Sequence, residues 1–131
     1  MENYLIETKI GCIYGRDAIY LDEINHNYAK RKLKFVGEIN GACCSGTDDE
    51  SFIKFSLEFQ GVFAFNSTEL DIYCELKGDN WYEGSFVEIK ESELLNTAKK
   101  VGGSNLKSYL IQTYDDVFEI VCEKYNFKIE K

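Results

Sequence analysis

Residues 109–129 read YLIQTYDDVFEIVCEKYNFKI, a stretch dominated by β-branched and aromatic side chains. Val117, Ile120, Val121 and Ile129, with Phe118, Tyr125 and Phe127, lose χ1 freedom in a helix and suit a pleated, half-buried surface. The reading that follows is two antiparallel strands at the centre of a sheet, joined by a turn of Thr113, Tyr114, Asp115 and Asp116. In that turn the short carboxylates bond their own backbone. The alternative is a helix beginning near Asp115. Asp116 and Glu119 have capping-box-like spacing, and Phe118, Val121, Cys122 and Tyr125 share one helical face.

Upstream, Ile53, Phe55, Leu57 and Phe59 alternate with Lys54, Ser56 and Glu58, which marks a strand with one buried face. Leu33, Phe35, Gly37 and Ile39 do the same against Lys34, Val36 and Glu38, and Ala18–Ile24 precedes them across a loop at 25–31. Tyr4–Lys9 and Gly11–Tyr14 are short strand candidates. After the break at Gly61 the strand pattern resumes over Val62–Phe65, and Asn66, Ser67 and Thr68 supply a turn. Ser92 caps a helix over Ser92–Val101, with Lys99 and Lys100 at its negative end and Gly102 closing it. The expected architecture is one mainly β domain spanning residues 1–131, an antiparallel sandwich or strongly curved sheet carrying one short α-helix.

The acids are unevenly placed. Residues 48–94 hold twelve acids against three bases, whereas the flanking segments are close to neutral, and the chain totals −8. Such a balance repels nucleic acid and anionic membranes and attracts a basic partner, although a solvated, solubilising face gives the same count. The cluster Lys30, Arg31, Lys32 and Lys34 lacks interleaved aromatics and reads as a charged strand edge. No run approaches the roughly 18 apolar residues that span a bilayer, and the N-terminus has no secretory pattern, so a cytoplasmic protein is expected. Five cysteines without CxxC spacing fit reduced thiols.

Period-2 alternation over Glu69–Leu76 predicts a strand with Leu70, Ile72, Cys74 and Leu76 on one face. A turn at 77–80 would return it as a hairpin partner. The other face then presents Glu69, Asp71, Tyr73, Glu75, Trp81 and Glu83, with Glu75 opposite Glu83. Like charges set opposite each other destabilise a sheet unless a cationic surface covers them. These six residues are the expected partner-binding set, the acids steering a basic protein and Tyr73 and Trp81 anchoring it.

Catalytic motifs are missing. His26 is the sole histidine and lies in a polar loop, which argues against a metal site. Cys43 or Cys44 could use only His26 as a histidine base. Asp48, Asp49 and Glu50 lack the ligand spacing of a calcium loop. No phosphate-binding glycine loop is present, and no cofactor is expected.

Phe86, Val87, Glu88 and Ile89, then Ser92–Lys99, then Tyr109 with Thr113–Val121, resemble the tail of small bacterial proteins, some of them similar to polymorphic-toxin immunity proteins. The likeness covers about a third of the chain. It implies a cytosolic, non-enzymatic protein that neutralises a toxin domain by binding it. Three other classes stay open: a carrier enclosing a small apolar ligand within a curved sheet, an enzyme using an unassigned acid pair or Cys43/Cys44, and a structural or oligomerisation protein, since an exposed aromatic patch also serves a homo-oligomer.

Overall fold

The computed structural model describes residues 3–78 and 84–130. Among these residues nine strands and two α-helices follow in chain order, with a 3-10 turn at Gly41–Cys43 besides: β1 (Asn3–Leu5), β2 (Ile19–Asn27), β3 (Lys32–Asn40), β4 (Phe52–Gln60), β5 (Ala64–Glu69), α1 (Leu70–Lys77), β6 (Phe86–Ile89), α2 (Glu93–Gly102), β7 (Lys107–Gln112), β8 (Asp116–Cys122) and β9 (Lys124–Ile129). The protein is mainly β. Two antiparallel sheets form, one ordered β1-β6-β7-β8-β5 and the other β2-β3-β4-β9.

Aromatic rings fill the space between the sheets. Phe35 of β3 lies 5.0 Å from Phe118 of β8, Phe59 of β4 lies 5.8 Å from Tyr109 of β7, and Tyr125 of β9 meets Phe86 at 5.2 Å. Such offset and edge-on pairs add to the area that the rings bury. The second face of the five-stranded sheet is covered too. Leu70 and Tyr73 of α1 pack with Val87, Ile89, Leu110 and Val117, while Leu95 of α2 packs with Leu106 and Val121.

This double cover explains the organising stretch. β7 and β8 are buried on both faces and therefore read as near-continuous apolar runs, whereas β3 and β4 alternate because their outer face meets water. The strand alternative is thus the one realised after Asp115. The chain breaks a second time at Glu123, whose N–H donates to the Gln60 carbonyl at 3.0 Å, and β9 crosses into the other sheet beside β4.

Several expectations fail. Gly11–Tyr14 makes only isolated bridges and no strand, and Asn25, His26 and Asn27, expected in a loop, belong to β2. Asn66–Thr68 is no turn, because β5 continues to Glu69 along β8. Residues 70–77 form a helix and not a strand. The Glu69 carboxylate accepts from the Ile72 N–H at 3.0 Å, and the i, i+3 pair Leu70 and Tyr73 reaches the sheet. Gly78, at φ 77°, ends it with its N–H on the Cys74 carbonyl at 3.0 Å. The sequence Leu-Asp-Ile-Tyr-Cys-Glu-Leu satisfies both periods, and the apolar cover that β8 requires selects the helical one. The second helix is as expected: Ser92 Oγ accepts from the Leu95 N–H at 3.0 Å.

Truncating a ring at the sheet interface should cost about 3–5 kcal/mol. Phe118→Ala is expected to lower the unfolding free energy from urea denaturation by that amount, and Phe52→Ala, whose ring is half exposed, by far less. Equal losses would contradict this placement of the core.

Candidate functional site

At one end of the sandwich the β7–β8 hairpin tip meets the edge strand β2. The tip is closed by a threonine: Thr113 Oγ1 donates to the Asp116 carbonyl at 2.9 Å and accepts from the Asp116 N–H at 3.0 Å. The threonine hydroxyl thus makes the backbone bonds expected of the Asp115 and Asp116 carboxylates; Asp115 is exposed and Asp116 partly buried. The Tyr114 N–H donates to the Ile19 carbonyl at 2.9 Å and ties the tip to β2, while the Asp115 carbonyl accepts from the Leu70 N–H at 2.9 Å and seats the start of α1.

β2 contributes through a bulge. Its register against β3 shifts between Leu21 and Glu23, and Gly37 of β3 makes the close approach possible, since a Cβ there would collide with the Tyr20 carbonyl. Between β2 and the hairpin tip runs a groove of about 340 Å³ lined by Ile19–Ile24, Thr113–Asp116 and Phe118. Four carboxylates border it: Asp22, Glu23, Asp115 and Asp116. Tyr20 and Tyr114 stack within it at 5.2 Å, and Phe52 meets Tyr20 edge-on at 5.5 Å.

Arg16 shows what this surface attracts. Its guanidinium lies 5.4 Å from the Tyr114 ring centre, its Nε donates to the Tyr114 carbonyl at 3.3 Å, and its Nη1 is 3.7 Å from Asp71. Cation–π contact, hydrogen bond and ion pair thus converge on one cation. The negative field acts on the neighbouring groups. Asp116 is raised above the ordinary carboxylate range by burial, then by Asp115 and by Glu69, its partner across the β5–β8 ladder. Tyr20 is raised by burial, then by Asp17. Glu69 moves the other way, held down by the backbone N–H groups of Asp71 and Ile72 at the start of α1.

The six residues expected to bind a partner divide. Glu69 and Asp71 lie beside this groove, one across the ladder from Asp116 and the other on Arg16. Glu75 is exposed on α1. Tyr73 is buried among Val87, Ile89 and Leu110, with its phenol pushed up to about 12 by burial, so it is a core residue and no anchor. Trp81 and Glu83 lie outside the described residues. Among the described residues nothing pairs with 70–77 as a hairpin, since Phe86 pairs with Ile111 and the Ser85 hydroxyl donates to the Gly15 carbonyl. Asp22, Glu23, Tyr20 and Tyr114 were missed because they come from opposite ends of the chain. The sequence signal at hand was the Tyr-Asp-Asp run of the turn.

Other chemistry finds little support. Cys44 is pushed up to about 11 and Cys122 to about 12 by burial, and Cys43 is raised as well, which opposes thiolate formation. His26 lies against Tyr28 and Phe65. It is separated from Cys43 by the length of β3, roughly 3.3 Å per residue. Asp116 has one attribute of a general acid, a raised pKa beside a cleft. A larger cleft of about 970 Å³ balances Lys9 and Lys54 against Asp49 and Glu130, and the Asp49 carboxylate is already bonded to Ser51. Among the described residues no group of three or more His, Cys, Asp or Glu side chains converges as a metal site, and no helix is long and apolar enough to cross a membrane. No protein-family model, no curated protein and no solved structure matches the chain.

The raised Asp116 carries a stability signature. The folded state holds its proton to higher pH than the unfolded chain does, so this group's contribution falls as pH rises from the ordinary carboxylate value through the raised one. Asp116→Asn leaves the backbone bonds to Thr113 in place. It is expected to be more stable than wild type at pH 7, with the gain vanishing at pH 3, by urea denaturation at both values. An equal difference at both would contradict the crowding of this carboxylate.

Proposed function

We propose that the chain is a non-enzymatic binding protein of the immunity type, which neutralises a basic toxin domain by covering a cationic surface. The observation that carries this reading is the stacked Tyr20–Tyr114 pair flanked by four carboxylates in one groove. A lysine or arginine side chain from a partner would find there what Arg16 already finds, an aromatic face and a carboxylate within reach. It would also offset the repulsion from Asp115 and Glu69 that adds to burial in raising Asp116. Binding a cation lowers the pKa of that carboxyl, so affinity should rise with pH through the carboxylate range and level off above it.

This reading moves the site from where the sequence placed it. Glu69 and Asp71 remain at its border, and steering charge from Asp22, Glu23, Asp115 and Asp116 replaces that expected of Glu75 and Glu83. Tyr114 and Tyr20 take the anchoring role given to Tyr73. The apolar-carrier reading has less to rest on, because rings occupy the space between the sheets.

The test is capture at low salt from a lysate of the source cell, comparing wild type with Asp115→Lys/Asp116→Lys and with Tyr114→Ala. Wild type is expected to retain a stoichiometric basic protein that arrests growth when expressed alone and is silenced by co-expression of wild type but not of the variants. Charge reversal should slow association about 10- to 100-fold at low salt and less at higher salt. A partner held equally by all three proteins would remove the groove from the account, and a harmless partner would remove neutralisation.

A further inference from the structure

Three of the four sheet edges formed by described residues carry a device that discourages pairing with another chain. β9 bears Lys124 and Lys128, β2 has its bulge, and β1 is three residues long. β5, with the sequence Ala-Phe-Asn-Ser-Thr-Glu, ends the five-stranded sheet and has neither lysine, proline nor register shift. Asn66 and Ser67 are exposed. The phase of its ladder is fixed by the Leu70 N–H to Asp115 carbonyl bond. Alternation then turns Thr68 and Asn66 toward β8, and the backbone groups of Phe65, Ser67 and Glu69 toward the open side.

We propose that this edge pairs antiparallel with β5 of a second copy of the chain, with Ser67 on the two-fold axis, joining the two five-stranded sheets into one. In that register Phe65 stands opposite Glu69 of the copy and Asn66 opposite Thr68, so no like charges face each other. The two ends of β5 are complementary. The Glu69 end carries Asp71 and Asp116. At the Ala64 end the Arg31 guanidinium lies 4.9 Å from the Phe63 ring centre and its Nη1 donates to the Val62 carbonyl at 3.4 Å. Antiparallel pairing lays each acidic end on the Arg31 end of the other copy, which is the self-complementarity a two-fold interface requires. A parallel arrangement would set Glu69 beside its own copy.

Apolar surface accompanies the edge. Tyr28 (79% exposed) and the half-exposed Phe63 lie near its start, and Leu76 of α1 (71% exposed) lines a cleft of about 300 Å³ over Asn66–Thr68. Burial against a second copy would remove such side chains from water. The pairing does not rest on the acidic groove binding a toxin, and Asp71 and Asp116 belong to both surfaces.

Light scattering coupled to gel filtration, from micromolar to near-millimolar protein, tests this on wild type, Ser67→Pro and Ser67→Lys. The Ser67 N–H faces away from β8, so proline removes no bond within the chain. Lysine places two ammonium groups across the axis. Wild type is expected at twice the chain mass, falling on dilution, and both variants at the chain mass with unchanged circular dichroism. Wild type at the chain mass throughout, or a folded variant that stays dimeric, overturns the proposal. Should proline disturb the fold, the lysine variant decides together with wild-type amide exchange. Phe65 and Ser67 should exchange more slowly in concentrated than in dilute protein, and equal rates would overturn the pairing.

Discussion

The burial of one hairpin on both of its faces constrains everything else in this protein. Tyr109, Ile111, Phe118 and Ile120 pack toward the four-stranded sheet, while Leu110, Val117 and Val121 point the other way and need cover of their own. Neither face tolerates water, because each buried side chain of this size is worth roughly 1.5–3 kcal/mol. The four-stranded sheet supplies one cover. The helices α1 and α2 supply the other. Residues that could extend as a strand along 70–77 therefore coil, since Leu70 and Tyr73 on a helix reach a surface that a further strand would leave exposed.

The same hairpin builds the groove. Its tip must turn within four residues, and the Thr113 hydroxyl does so by serving as donor and acceptor to the Asp116 backbone. That places Tyr114 and two carboxylates at the sandwich end. Backbone bonds from the tip to Ile19 and from Leu70 to the tip then fix β2 and α1 around it. An acidic, aromatic surface thus sits where backbone bonds tie the hairpin tip to β2 and α1, which favours a binding site that loses little freedom when a partner docks.

Much of the β architecture was legible from side-chain alternation. Phe55, Leu57 and Phe59, and Leu33, Phe35 and Ile39, point inward as their spacing requires, and Ser92 caps α2. The helix α1 was not legible, because Leu70, Ile72, Cys74 and Leu76 satisfy a strand period as well as Leu70 and Tyr73 satisfy a helical one, and only the tertiary surface decides. The site was half legible. Alternation sets Glu69 and Asp71 side by side on one strand; in the structure Glu69 ends β5 and Asp71 lies in α1, yet they lie beside Asp116 and Arg16. Counting charge by segments pointed to residues 48–94, whereas the groove draws Asp22 and Glu23 from before that segment and Asp115 and Asp116 from after it. Proximity across sheets is invisible to a count along the chain.

The most direct measurement is an NMR titration of the ¹³C,¹⁵N-labelled protein with a short arginine-rich peptide at low salt, following side-chain carboxyl carbons and the Tyr20 and Tyr114 rings. The account expects saturable shifts confined to Asp22, Glu23, Asp115, Asp116 and the two rings, with the apparent pKa of Asp116 falling as peptide is added. Shifts spread equally over other acids, such as Asp48–Glu50, with Asp116 unchanged, would contradict it.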